Sequence, residues 1–105
     1  MDSDRAERFR VQTCIAAVTK TDGQQRRFAG ITRDISRTGV FFYVDFRPRE
    51  GSRLQLMLTL PPEVTQAGSI PAMCNARVVR VEPGGPANRF GVAVETESWQ
   101  PLAIA

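Results

Sequence analysis

The residues best suited to chemistry in this chain are its arginines and one short acid–hydroxyl–glycine turn. Of the 14 basic residues all but Lys20 are arginine. Arginine's planar fork pairs bidentately with phosphate or with a guanine edge and also stacks on aromatic rings, which a lysine ammonium does not do. The spacing groups them: Arg5, Arg8 and Arg10 crowd the N-terminus, and Arg33 and Arg37 flank or enter the segment Asp34-Ile35-Ser36-Arg37-Thr38-Gly39. Asp34 and Ser36 lie two apart at the end of a strand, so their side chains project from one face. The carboxylate can accept from a ring N–H or amino group, and the hydroxyl can donate to a phosphate oxygen. Gly39 follows where the chain must reverse, and glycine tolerates positive φ and lets a ligand approach the backbone. Together these residues suit a nucleotide and its phosphate. They also suit an ordinary turn, in which Asp34 and Ser36 satisfy nearby backbone N–H groups and Gly39 makes the bend.

Composition removes several other chemistries. The chain has no histidine, which excludes His-based triads and imidazole metal sites. Glu95 and Glu97 sit together near a strand end, where paired acids are usually solvated rim and not an acid–base couple. No enzyme, no catalytic residue and no metal site is expected. Cys14 and Cys74 form no C-x-x-C pair and fall in apolar runs, which reads as two small buried hydrophobes in a reducing compartment. A net charge of +3 diluted by 11 acids is too small for a nucleic-acid polymer to be the first expectation. No apolar run approaches the ~20 residues of a membrane span, and the charged first ten residues do not resemble a signal peptide. A cytoplasmic protein without membrane insertion is expected.

The elements that must position the site read as strands. At 105 residues the chain has the size of one domain with one modest core. Strand patterns recur at 11–20, 26–35, 40–44, 54–60, 73–81 and 90–94, and helical periodicity is hard to find. Asp22-Gly23 between the first two is a hairpin signal. Leu54, Leu56, Leu58 and Leu60 alternate with Arg53, Gln55, Met57 and Thr59, a half-buried strand with its leucines inward. Residues 63–71 read as a loop. Six strands joined by hairpin turns must close on themselves to hide their apolar face and edges. The expected organisation is a flexible arginine-bearing arm at 1–10, a barrel at 11–97 and a C-terminal tail at 98–105. The arm should be mobile without ligand, because it has no apolar anchor before Phe9.

The order of these segments resembles the PilZ domain family. An arginine-bearing lead-in precedes the first strand, and a D-x-S-x-x-G turn (Asp34, Ser36, Gly39) leads into Val40-Phe41-Phe42. The Gly51 turn then opens a leucine-alternating strand ending in Leu60-Pro61, followed by Ala76-Arg77-Val78-Val79-Arg80-Val81 and by Arg89-Phe90-Gly91-Val92-Ala93-Val94. The resemblance runs from about Asp4 to about Glu95. It implies an all-β, six-stranded antiparallel barrel that binds the bacterial second messenger cyclic di-GMP and signals to a protein partner, without any other cofactor. It also implies that arginines of an R-x-x-x-R stretch grip phosphates and stack on guanines. Arg5 and Arg8 match that stretch, Arg10 lies nearby, and Asp4 stands where the family has its first arginine. The residues implied as ligand-binding are therefore Arg5, Arg8, Arg10, Asp34, Ser36 and Gly39.

Two further readings belong beside this one. A PilZ-like module that works only through protein contacts, in pilus or motility regulation, is favoured by Asp4. A small barrel for single-stranded nucleic acid is suggested by Phe41, Phe42 and Tyr43 among arginines. Consecutive aromatics on a strand must send some inward, which weighs against it.

Overall fold

A computed structural model describes residues 7–21 and 23–102. Seven strands account for most of it: β1 (Phe9–Arg10), β2 (Cys14–Thr21), β3 (Gln24–Ile35), β4 (Gly39–Val44), β5 (Arg53–Leu60), β6 (Ile70–Glu82) and β7 (Phe90–Pro101). A single turn of helix, α1 (Pro62–Thr65), interrupts the stretch expected to be loop. Pro62 stands at its N-terminus, where a missing N–H costs nothing, and Gln66 closes it in the left-handed conformation at φ 59°.

All pairings are antiparallel, in the order β1-β3-β2-β5-β6-β7-β4, and β3 also pairs with β4. That last pairing closes β2 to β7 into a six-stranded barrel, with β1 as an extra short strand against the far end of β3. Closure covers the edges of β3 and β4 where they pair, between Gly30–Ile35 and Val40–Val44, while the outer stretches of β3 and β7 pair on one side only. The β2–β3 hairpin turns where expected: Thr21 pairs with Gln24, and Gly23 takes φ 77°. Asp22 itself lies outside the described residues.

Period-two alternation fills the interior. Leu54, Leu56 and Leu58 of β5 meet Ile15 and Ala17 of β2, Val40, Phe42 and Val44 of β4, and Val92 and Val94 of β7. Leu60, the last of the leucine series, is only partly buried at the rim. The consecutive aromatics divide as strand geometry requires: Phe42 points into the core and Phe41 to the outer face, yet both are buried. Phe41 is covered from outside, with Tyr43 edge-on at 5.5 Å and the Arg33 guanidinium 3.8 Å above its ring. Gly91 on the neighbouring strand makes room for it, since a Cβ there would stand 2.6 Å from Phe41 Cζ.

Three expectations need correction. Phe9 and Arg10 do not belong to a free arm: they pair with Ile35 and Asp34, so the barrel edge begins before residue 11. The tail expected at 98–105 is strand as far as Pro101, because β7 continues along β6 with Trp99 opposite Cys74 and Pro101 opposite Ala72. Cys14 is exposed and only Cys74 is buried. The alternation of β2 that carries Ile15 and Ala17 inward necessarily carries Cys14 outward. Burial, reinforced by Glu97, pushes the Cys74 thiol up to about 12.

Candidate functional site

The D-x-S-x-x-G segment occupies the end of β3 and the turn into β4, where several elements converge. β3 carries a bulge between Thr32 and Asp34: Thr32 faces Phe42 while Asp34 faces Phe41, which leaves Arg33 as the extra residue. A bulge bends its strand and re-aims the side chains around it. Here Arg33 lies over Phe41 while its Nε donates to Asp34 Oδ2 at 2.8 Å. Asp34 is almost fully buried, its side chain 8% exposed. Its second oxygen, Oδ1, lies 3.8 Å from Arg8 Nε. A buried carboxylate needs such partners, because unpaired it costs several kcal/mol. The hydrogen bond to Asp34 in turn raises the Arg33 guanidinium above its ordinary value, against the opposing effect of desolvation.

Ser36 and Gly39 close the turn. Ser36 N donates to Gly39 O at 2.8 Å, Gly39 N donates to Ser36 Oγ at 3.0 Å, and Ser36 Oγ donates back to Gly39 O at 3.1 Å. The hydroxyl proton is thus free to turn elsewhere, since Gly39 O keeps its bond from Ser36 N. Gly39 does not take the left-handed conformation that glycine would allow there. Positive φ occurs at Gly23, Gly51 and Gly84 but not at Gly39. Its lack of a side chain matters for a different reason, because a Cβ would stand 3.0 Å from Val94 O on β7.

The turn is tied down from the side by the C-terminal half of β7. Arg37 O accepts from Thr96 Oγ1 at 2.7 Å and from Trp99 Nε1 at 3.0 Å, and Thr38 O accepts from Thr96 N at 3.0 Å. On the other side, Thr32, 1% exposed, clamps the link between β1 and β2: its Oγ1 donates to Val11 O at 2.6 Å and accepts from Thr13 N at 2.9 Å. That clamp fixes the root of the N-terminal arginines beside Asp34, and Arg10 stands opposite Asp34 in the β1–β3 ladder.

Of the residues predicted from the sequence, the structure therefore brings Arg8, Arg10, Asp34, Ser36 and Gly39 to one corner of the barrel. Arg5 and Asp4 lie outside the described residues. Arg33, Thr32 and Trp99 belong to the same corner and were not predicted as members. A cavity of about 480 Å³ meets this corner at Ser36 and is bordered also by Glu7, Phe9, Arg37, Leu60 and Trp99; Arg8, Arg10, Arg33 and Asp34 do not line it. Cationic forks and a hydroxyl that can re-aim its proton suit an anion that carries flat rings, since a guanidinium both pairs with phosphate and stacks on a ring. Among the described residues no three acidic or cysteine side chains gather to hold a metal ion, and no helix is long and apolar enough to cross a membrane.

Comparison with known proteins agrees with this fold. The family model of the PilZ domain matches residues 4–100. Among solved structures, the Bacillus subtilis inhibitor of motility, MotI/DgrA, shares the fold with a TM-score of 0.67 at 16% identity, over 90% of this chain and 42% of that one. The chain thus spans less than half the length of that protein. No curated protein matches it.

Proposed function

The chain belongs to the PilZ domain family, a family of binding and adaptor domains, and from that premise we propose that it senses cyclic di-GMP and relays the signal to a protein partner. The observation that carries this reading is the convergence of Arg8, Arg10 and Arg33 on the corner built by Asp34, Ser36 and Gly39.

The ligand carries two phosphate charges and two guanines. Arg5 and Arg8 close over the phosphates by bidentate pairing and over the guanine faces by cation–π stacking. Ser36 turns its proton from Gly39 O to a phosphate oxygen at little cost, because Gly39 O retains its backbone donor. Asp34 holds Arg33 and Arg8 in place and offers an acceptor to guanine N–H groups. No bond is made or broken: the newly fixed surface of residues 4–8 is the output.

The competing reading, a PilZ module that acts through protein contacts alone, draws on Asp4 at the first-arginine position. One lost charge-assisted hydrogen bond, about 1.5–3 kcal/mol, corresponds to roughly ten- to 150-fold in affinity. Titration of the isotope-labelled protein with cyclic di-GMP separates the two. Sensing predicts amide shifts centred on residues 33–39 and slower amide exchange across residues 4–8. Protein contacts alone predict neither.

A further inference from the structure

The opposite end of the barrel carries a second feature, which the proposed signalling site does not use. Ala17, wholly buried, pairs with Phe28, and the next same-facing pair along the hairpin is Thr19 with Arg26. Directly opposed residues share a face, and each strand returns to it every second residue. Arg26 therefore sits at an interior-facing position, one step beyond the last apolar layer. Phe28 stacks on Phe46 with ring centroids 3.7 Å apart and an interplanar angle of 19°, which plugs the barrel at that level. Above this plug opens a mouth of about 600 Å³, lined by Arg26, Arg47 and Arg49 together with Phe28, Phe46 and Pro48 among others, and by no carboxylate.

A barrel position that faces inward ordinarily takes an apolar residue. Here the arginine stands at the open, exposed end of the barrel, where its charge is available to an anionic partner. None of the three guanidinium groups takes part in an ion pair with a described carboxylate. Arg47 has instead a ring partner, lying 5.9 Å over Phe90. Three cations around an apolar floor have the anatomy of a protein-recognition centre, in which arginine and aromatic residues supply the anchors. Mouths of β-barrels are also a common place for binding sites.

We propose that this mouth docks an acidic segment of a partner protein, with one apolar side chain seated on the Phe28–Phe46 floor and flanking carboxylates on Arg26, Arg47 and Arg49. A nucleic-acid strand fits the mouth less well. Each of the two rings gives one face to the other, and bases need free ring faces to stack on. Arg26 and Asp34 lie at opposite ends of β3, eight residues and about 27 Å apart along the strand, so occupancy of the mouth leaves the cyclic di-GMP corner open. The two readings stand or fall separately.

The test is a titration of the full chain, followed by amide shifts, with a peptide of glutamates around a single leucine and with its glutamine counterpart. The glutamate peptide is expected to shift the amides of residues 26–28 and 46–52 and to bind more weakly as salt rises, and the glutamine peptide to do neither. The double variant Arg26→Glu/Arg49→Glu is expected to weaken binding about tenfold or more, and Arg26→Lys/Arg49→Lys to retain most of it. Both arginines are exposed, so the melting temperature should hold in each variant. Absence of shifts at the mouth overturns the proposal, as does equal binding by the charge-reversed protein. Displacement of the peptide by oligothymidylate at lower concentration would assign the mouth to nucleic acid instead.

Discussion

Removing the Arg33 guanidinium should destabilise the protein through Asp34, and the size of the effect follows from the geometry. In Arg33→Ala, Asp34 Oδ2 loses its 2.8 Å donor and keeps only the distant Arg8 at 3.8 Å from Oδ1. Phe41 also loses the cation 3.8 Å above its ring. A charge-assisted hydrogen bond contributes about 1.5–3 kcal/mol and a cation–π contact at an accessible site about 0.5–1 kcal/mol. Because the Arg33 side chain is 39% exposed, solvent screening moves the total to the lower end, about 2 kcal/mol. For a domain near this size, that lowers the melting temperature by about 10 °C. A double-mutant cycle with Asp34→Asn, followed by thermal and urea unfolding, isolates the pair. The expected coupling is about 1–2 kcal/mol, with Arg33→Ala/Asp34→Asn less destabilised than the two single variants summed. Strictly additive effects, or an unchanged melting temperature in Arg33→Ala, would refute the claim that this guanidinium neutralises the buried carboxylate.

Arg8→Ala should weaken cyclic di-GMP binding at least about tenfold in calorimetry while leaving the melting temperature unchanged, since its side chain is 70% exposed. Ser36→Ala removes the hydroxyl that accepts from Gly39 N and should cost about 1–2 kcal/mol of stability, together with a loss of affinity that exceeds what the fold loses. Under native conditions a thiol reagent should modify Cys14 promptly and Cys74 only on unfolding. The Cys74 thiol is neutral in the fold up to about pH 12, whereas an unfolded thiol ionises from about pH 8.5. Its contribution to stability is therefore complete below that pH and declines as the pH rises toward 12, by at most about 1.4 kcal/mol per unit. Stability measured against pH in Cys74→Val should fall less steeply across that window than in the parent.

The barrel was legible because its code is local. The leucine alternation of β5, the Asp22-Gly23 hairpin and the β-branched runs each report their own conformation, and closure follows from the need to hide edges. The site was legible in part for the same reason, since Asp34, Ser36 and Gly39 form one contiguous turn. What was not legible depends on pairing between distant segments. The bulge that aims Arg33 at Asp34 arises from register between β3 and β4. The lock on Arg37 O comes from Trp99, 62 residues away. The buried Thr32 clamp is visible only once Val11 and Thr13 lie beside it. The left-handed backbone expected at Gly39 is absent, and the position is instead crowded by the Val94 carbonyl across the sheet. Trp99 had one signal in the sequence, being the sole tryptophan and lying in a polar tail, but nothing local tied it to the β3–β4 turn.

A cyclic dinucleotide held between N-terminal guanidinium groups and the β3–β4 turn should be visible as heat. Isothermal titration of the intact protein with cyclic di-GMP, with cyclic GMP as control, should give a saturable isotherm for the dinucleotide and only dilution heat for the control. Dilution heat alone with both compounds at millimolar ligand would contradict the sensing role and leave a PilZ barrel that works by protein contact.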